Sequence, residues 1–325
     1  MATLLQCIDN LIENISVTDR QEENIKASLS NIEGNLKKTD NDLNVERTFT
    51  NGSYERDTII RPLDDIDLFA VLKKDLWKDE YGNLPKPQNV LTRIKNYLNS
   101  LNDYKDKVKQ DRPCVTIELS DKNFDILPSF SQEGGGYLIP NYDLATWTFT
   151  YPEQLTTNLD NVHRLRNYKI KPVVKVVKYW NRENDKLVPS YHIEETAINI
   201  FQINSFTNFE QAIRLWFENA EFNLQSMKFK SNDDYNTAIK RVKKAKEKLN
   251  KAKTEYDEGN EGEAIKLWKE VFGKEFPTVD IDEAKNLSKS LMEGSLKIAS
   301  TGSLSTTSGR NVPSSKGFYG EVPEN

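Results

Sequence analysis

The sequence predicts an α/β (α+β) protein with strands in its first half and helices in its second. Three observations point there. Residues 2–47 carry apolar side chains at three- and four-residue spacing, short alternating runs follow at 63–72, 115–119 and 124–127, and beyond about residue 152 the periodicity is helical.

The N-terminal segment reads as a long bracing helix. Leu4, Ile8, Leu11, Ile12 and Ile15 form its first stripe, Ile25, Leu29, Ile32 and Leu36 its second, and Ser16 or Thr18 can cap the restart at Thr18-Asp19. The polar stretch 45–50 then leads to Asn51-Gly52-Ser53-Tyr54, where glycine opens backbone conformations closed to other residues. Leu63 to Leu72 reads as a strand that places Asp65, Asp67 and Phe69 on one face and Ile66 and Leu68 on the other.

A charged loop (73–87) and a surface helix (90–101) follow, then strands at Val115–Leu119 and Phe124–Leu127 joined by Ser120-Asp121-Lys122-Asn123. Gly134-Gly135-Gly136 opens a flexible connection that ends at Tyr151-Pro152. Helices are expected at about 158–183, 193–205, 208–218, 232–256 and 260–272. Residues 291–325, rich in Ser, Thr and Gly, read as a flexible tail. The expected organisation is 1–152 as the strand-bearing core with its N-terminal helix, 153–290 as a helical lobe, and 291–325 as the tail.

Composition removes several function classes. The chain has 325 residues, 37% hydrophobic content and a net charge of −5, so an overall basic field for coating nucleic acid is absent. Cys7 and Cys114 are the only cysteines and His163 and His192 the only histidines, too few for a disulfide framework or a Cys/His zinc site. No apolar run approaches membrane-spanning length and the start lacks a basic leader pattern, so the expectation is a cytoplasmic protein without a membrane partner.

The chemistry lies in the acids. Asp65 and Asp67 share a strand face, and Asp125 follows 58 residues after Asp67 between Phe124 and Ile126, where an unpaired carboxylate is costly. Nucleotidyl transfer uses two cations about 4 Å apart, and magnesium takes hard oxygen ligands at ~2.0–2.1 Å. Three carboxylates on adjacent strands supply that donor set. Gly52 and Ser53, ahead of the acidic strand, can hold phosphate oxygens through backbone amides and a hydroxyl.

Lys171, Lys175, Lys178 and Arg182 fall within an arc of about 60° on a helix, opposite valines and Trp180. Such a stripe is commonly a solvated face; turned into a cleft, it supplies charge for a triphosphate. Ser190 can donate to phosphate, and Tyr191 offers a ring for base stacking. Eight basic residues between Lys240 and Lys253 read as the solvated face of an amphipathic helix, with Ile239, Val242, Ala245, Leu249 and Ala252 as its seam.

Taken together and in order, these motifs resemble the cGAS/DncV-like nucleotidyltransferases, the CD-NTases of the polymerase-beta-like superfamily. The resemblance runs over residues 1–285 and rests on Gly52-Ser53-Tyr54, Asp65-Ile66-Asp67, Phe124-Asp125-Ile126-Leu127-Pro128, the Val174–Trp180 lysine helix and Ser190-Tyr191-His192. It implies a mixed-sheet nucleotidyltransferase core, a helical lobe and an active site between them. It implies a monomeric enzyme that makes a cyclic di- or trinucleotide from nucleoside triphosphates, ATP or GTP, for a downstream effector in antiphage defence of the CBASS type. Asp65, Asp67 and Asp125 would hold two Mg2+ or Mn2+ ions. Gly52, Ser53, Lys175, Lys178, Ser190 and Tyr191 would hold nucleotide, with no stable nucleic-acid partner. The alternatives are a non-cyclising nucleotidyltransferase and an inactive binding scaffold.

Overall fold

The computed structural model describes residues 3–277 together with 294–295, 297–298, 304–305 and 310–311. Helix α1 (Leu4–Ile15) buries Leu4, Ile8, Leu11 and Ile15 along one stripe. Helix α2 (Asp19–Leu36) starts with a capping box: Thr18 Oγ1 accepts from Gln21 N at 3.3 Å while Gln21 Oε1 accepts from Thr18 N at 3.1 Å. Thr18, rather than Ser16, is therefore the cap. The helical segment ends at Leu36, where the Asn41 amide donates to the carbonyls of Asn35 and Leu36 and satisfies the helix end.

The polar stretch after it is strand β1 (Val45–Asn51), which had no alternating apolar signal because only Val45 is buried. It pairs antiparallel with β2 (Ile66–Leu72) in the register Phe49↔Phe69 and Asn51↔Asp67. Between them lies the four-residue helix α3 (Gly52–Glu55). Helix α4 (Pro87–Ser100) has proline in its first turn, where a missing N–H costs nothing. Strands β3 (Val108–Asp111), β4 (Cys114–Glu118) and β5 (Asn123–Ser131) complete the order β1-β2-β5-β4-β3.

The sheet is mixed, since β2 runs parallel to β5 while every other neighbour is antiparallel. One face, with Ile66, Leu68, Ala70, Ile126 and Phe124, packs with Ile25, Ile32, Leu91 and Ile94 of α2 and α4 into a single core. The connection after the three glycines, expected to be flexible, is instead paired: β6 (Tyr137–Pro140) joins β5, and β7 (Trp147–Thr150) joins β6. Trp147 anchors it, with its ring 4.9 Å from Phe130 and its indole N–H on the carbonyl of Pro85.

The single helix expected at 158–183 is two, α5 (Pro152–Leu165) and α6 (Ile170–Glu183). Asn167 and Tyr168 adopt positive φ at the break, and His163 Nδ1 accepts from the amides of Ile170 and Lys171 at 3.2 Å, capping α6 from outside. Helices α7 (Ser190–Ile203) and α8 (Phe209–Asn223) follow; Trp180 of α6 and Phe217 of α8 meet edge to face at 4.9 Å.

Chain contacts divide the molecule into two compact units. The first, Ile8–Glu247, holds the seven-stranded sheet and α5–α8. The second takes the chain to either side of it. Helix α9 (Asn232–Asp257) runs through the boundary, burying Ala238, Val242, Ala245, Leu249 and Ala252 and exposing Lys240, Lys243, Lys244 and Lys251. In the second unit α10 (Glu261–Phe272) stacks Trp268 on Phe272 at 5.2 Å and on Phe276 at 6.0 Å, and Glu261 accepts from the Leu4 amide at 2.7 Å. Also there, the two-residue strands β8 (Lys297–Ile298), β9 (Leu304–Ser305) and β10 (Arg310–Asn311) pair antiparallel. The rest of the segment read as a flexible tail lies outside the described residues. Among the described residues no helix is long and apolar enough to cross a membrane.

Candidate functional site

The site is assembled at one end of the parallel pair β2 and β5. The register sets Asp67 beside Asp125, and β4 places Thr116 opposite Asp125 on its other side. Thr116 Oγ1 donates to Asp125 Oδ1 at 2.5 Å. Asp67 is the only residue of β2 that is not fully buried. Burial pushes its carboxyl up to about 6; repulsion from Asp125 adds to this and the Arg56 charge opposes it. Burial likewise raises Asp125. Cys114, near both acids, is raised by burial and by their charge, so its thiol stays protonated at neutral pH.

Asp65, expected on the strand face with Asp67, precedes the first residue of β2 and is exposed. Its Oδ1 accepts from the Asn123 amide at 3.0 Å, although its charge is felt by both other acids. The structure thus brings Asp67 and Asp125 together and sets Asp65 at the rim. Among the described residues no three His, Cys, Asp or Glu side chains converge as a ready metal cage. The donor chemistry nevertheless fits a divalent cation: two adjacent, largely buried carboxylates repel one another, and a hard cation relieves both desolvation and repulsion.

Gly52 lies directly against this pair. It has φ of 69°, and a Cβ there would sit 1.7 Å from Asp67 Oδ2, so only glycine lets β1 turn beside the acid. The turn is closed by backbone bonds: Ser53 O accepts from Thr58 N at 2.8 Å and from Ile59 N at 3.0 Å, and Gly52 O accepts from Arg56 N at 3.2 Å.

The lysine helix is α6, and every cation of its stripe has a protein partner. Lys171 pairs with Asp160 at 2.8 Å, Lys175 with Asp57 at 2.7 Å and Lys178 with Glu194 at 2.7 Å, while Arg182 donates to the carbonyls of Arg61 and Pro62. These pairings are not alike. The Asp57 side chain is 69% exposed, so Lys175 holds a partner that a phosphate can replace. Lys178 is 5% exposed and bonded also to Thr58 Oγ1 at 2.8 Å. Its burial pulls the ammonium down, and Glu194 opposes that.

Ser190 opens α7, and Tyr191 presents a ring 41% exposed, with Lys228 Nζ 5.4 Å from its centroid. The next residue, His192, is occupied structurally: Nδ1 lies 3.0 Å from Glu195 Oε2, and Nε2 accepts from Gln225 N at 2.9 Å. Burial lowers its pKa, and this pair of bonds describes a neutral ring protonated at Nδ1. A cavity of about 460 Å3 lies along α5 and α7, walled by Gln154, Asn158, Glu195, Asn199, Gln225 and Lys228 among others.

Sequence reasoning missed Arg56, Thr58 and Glu194. Arg56 and Thr58 follow Gly52-Ser53 closely and Glu194 follows Ser190-Tyr191, but nothing local marks them as partners across 138 and 136 residues.

In sequence and in fold the chain is similar to known nucleotide synthases. Residues 1–162 match the Second Messenger Oligonucleotide or Dinucleotide Synthetase domain. A probable cyclic nucleotide synthase of Bacillus cereus (strain VD146) is 29% identical over 269 residues, 70% of this chain and 81% of that protein. The cyclic AMP-AMP-AMP synthase of Acinetobacter sp. (strain ATCC 27244 / 9458) is 26% identical over 291 residues, 78% and 81% of the two chains. Among solved structures, E. coli MS115-1 CdnC with ATP superposes with a TM-score of 0.67 at 16% identity, covering 84% of this chain and 98% of that one. The GTP-bound form of Vibrio cholerae DncV gives 0.67 at 13% identity, covering 85% and 96%. The mixed sheet and helical lobe are therefore the fold of those nucleotidyltransferases.

Proposed function

We propose that this chain, which belongs to the cGAS/DncV-like nucleotidyltransferases, joins nucleoside triphosphates into a cyclic oligonucleotide second messenger through the site built on Asp67 and Asp125. The observation that carries the reading is the in-register pair Asp67↔Asp125 with Gly52 in contact with it: an acid pair suited to hard cations, with a phosphate-holding turn against it. The donor triphosphate enters beside Gly52 and Ser53, with Lys175 leaving Asp57 for a phosphate oxygen and Ser190 donating from the start of α7. Tyr191 stacks on the donor base, and the amide-rich wall of Gln154, Asn158 and Asn199 reads a base edge.

Asp67 and Asp125 would hold Mg2+ or Mn2+, joined by Asp65 at the rim, and two such ions would supply positive charge to the attacking oxygen and to the triphosphate. Asp125 takes the proton of the acceptor hydroxyl. The hydroxyl oxygen then bonds to the α-phosphorus as the bond to the β-phosphate bridging oxygen breaks, releasing pyrophosphate. Repeating the step within the linear product closes the ring. The relative named a cyclic AMP-AMP-AMP synthase points to ATP as one substrate. The product would act on an effector in antiphage defence, and the enzyme would work as a cytoplasmic monomer.

The test is incubation with radiolabelled ATP and GTP, singly and together, with Mg2+ or Mn2+. Pyrophosphate release and a phosphatase-resistant product identified by mass spectrometry support the reading. A phosphatase-sensitive linear product overturns the cyclising part, and absence of pyrophosphate in every combination overturns the whole.

A further inference from the structure

Glu194 lies on α7 one turn after Ser190, is 0% exposed, and both its oxygens are occupied. Oε2 accepts from Arg56 Nε at 2.7 Å. Oε1 accepts from Lys178 Nζ at 2.7 Å and from Thr58 Oγ1 at 2.5 Å, and Thr58 Oγ1 accepts in turn from Lys178 Nζ at 2.8 Å. A single buried carboxylate therefore holds two cations and a hydroxyl from two other segments of the chain.

Those segments are the ones the chemistry needs. Arg56 and Thr58 close the turn that begins at Gly52-Ser53, through their own backbone bonds to Gly52 O and Ser53 O. Lys178 comes from the middle of α6. One negative charge is left against two positive ones, and both cations act on Asp67. Apolar side chains of the same volume would hold these elements together without desolvating three charges, so stability alone does not account for the network.

We propose that Glu194 is a positioning residue for nucleotidyl transfer, which sets the Gly52-Ser53 turn against Asp67 and Asp125 through Arg56 and Thr58 and, with Lys178, aims a surplus positive charge at the triphosphate. The proposal rests on the nucleotidyltransferase reading of the cleft. Glu194 is no ligand of the reacting atoms; it acts through the groups it holds.

The experiment compares wild type with Glu194→Gln, Thr58→Val and Thr58→Ser. It measures kcat and KM for triphosphates with Mg2+, the affinity for a non-hydrolysable triphosphate and for the corresponding nucleoside, and thermal unfolding. Glu194→Gln is expected to lower kcat by about 10- to 100-fold, the range typical of groups that orient ligands, and to weaken triphosphate binding while nucleoside binding holds. Thr58→Val loses part of the same activity, and Thr58→Ser recovers most of what Val loses. A merely structural role would lower the unfolding temperature yet leave kcat and the triphosphate-to-nucleoside affinity ratio as in wild type below that temperature, which would overturn the proposal. Should Glu194→Gln fail to fold, equal activity in the two Thr58 variants overturns it. Wild type that neither binds triphosphate nor releases pyrophosphate overturns the parent reading and this proposal with it, whereas active wild type with unaffected variants overturns only this one.

Discussion

A Cβ added at residue 52 would lie 1.7 Å from Oδ2 of Asp67, so the turn of Gly52 and the carboxylate of Asp67 occupy touching positions. Gly52→Ala has to displace the acid and also hold an alanine at a φ of 69°, which costs about 1–3 kcal/mol. Pyrophosphate release is expected to fall by about 100-fold or more, as an ångström-scale displacement of a catalytic group does. Thermal unfolding and turnover of the purified variant check both effects, and full turnover would break the link between turn and acid.

Asp67 gives the protein a pH-dependent stability of definite sign. Its carboxyl is raised to about 6 from 3.8, so the folded state holds the proton more tightly than the unfolded chain. The stabilisation is complete below pH 3.8 and is lost as pH rises through about 6, a change of about 3 kcal/mol in the metal-free protein. Asp67→Asn should raise the unfolding midpoint at pH 8, leave it unchanged at pH 3.5 and abolish turnover. Adding Mg2+ at pH 8 should raise the midpoint of wild type but not of Asp67→Asn, and EDTA should reverse it. Equal responses of the two proteins would count against metal at Asp67.

Lys175 and Lys178, three residues apart on α6, should behave differently. Lys178→Met removes buried bonds to Glu194 Oε1 and Thr58 Oγ1 while Arg56 and Thr58 still hold the carboxylate, and is expected to cost about 1.5–3 kcal/mol, the range for a hydrogen bond to a charged group. Lys175→Met removes a pair whose partner is exposed, worth about 0–1 kcal/mol, and should leave the unfolding midpoint nearly unchanged. Its effect should fall on KM for the triphosphate, which rises roughly tenfold as a charge-assisted phosphate contact is lost. Denaturant titration and steady-state kinetics of the two variants separate the roles.

Tyr191 is 41% exposed, with Lys228 Nζ 5.4 Å from its ring centroid, so its ring is accessible to a nucleotide base. Tyr191→Ala should weaken nucleotide binding by about 1–3 kcal/mol, while Tyr191→Phe, which keeps the ring, should stay near wild type. Fluorescence titration with a non-hydrolysable nucleotide checks this, and equal loss in both variants would assign the effect to the hydroxyl.

Much of the fold was legible because periodicity is local. The stripes of α1 and α2 reflect which face of each helix is buried, and β2 shows as a short apolar run that is buried on both faces apart from Asp67; neighbouring residues record both patterns. Strand β1 escaped notice because, with one buried residue, it has no periodic signal; its pairing with β2 makes it a strand. The break between α5 and α6 escaped notice for a similar reason, since positive φ at Asn167 and Tyr168 is stabilised by His163 capping α6.

By itself, the sequence determined which residues are candidates for the chemistry: the Gly52 turn, the acids, the lysine stripe and Ser190-Tyr191 follow from residue type, spacing and order. The tertiary structure decided which of them meet. It joined Asp67 to Asp125 through strand register and left Asp65 at the rim. It gave Lys175 an exposed partner and Lys178 a buried one, and it placed Glu194 between Arg56 and Lys178. The physical reason is that burial and partner identity are properties of the folded contacts. A lysine 5% exposed beside a carboxylate and one beside a solvated aspartate occupy the same helical stripe, and only the elements packed against that stripe tell them apart.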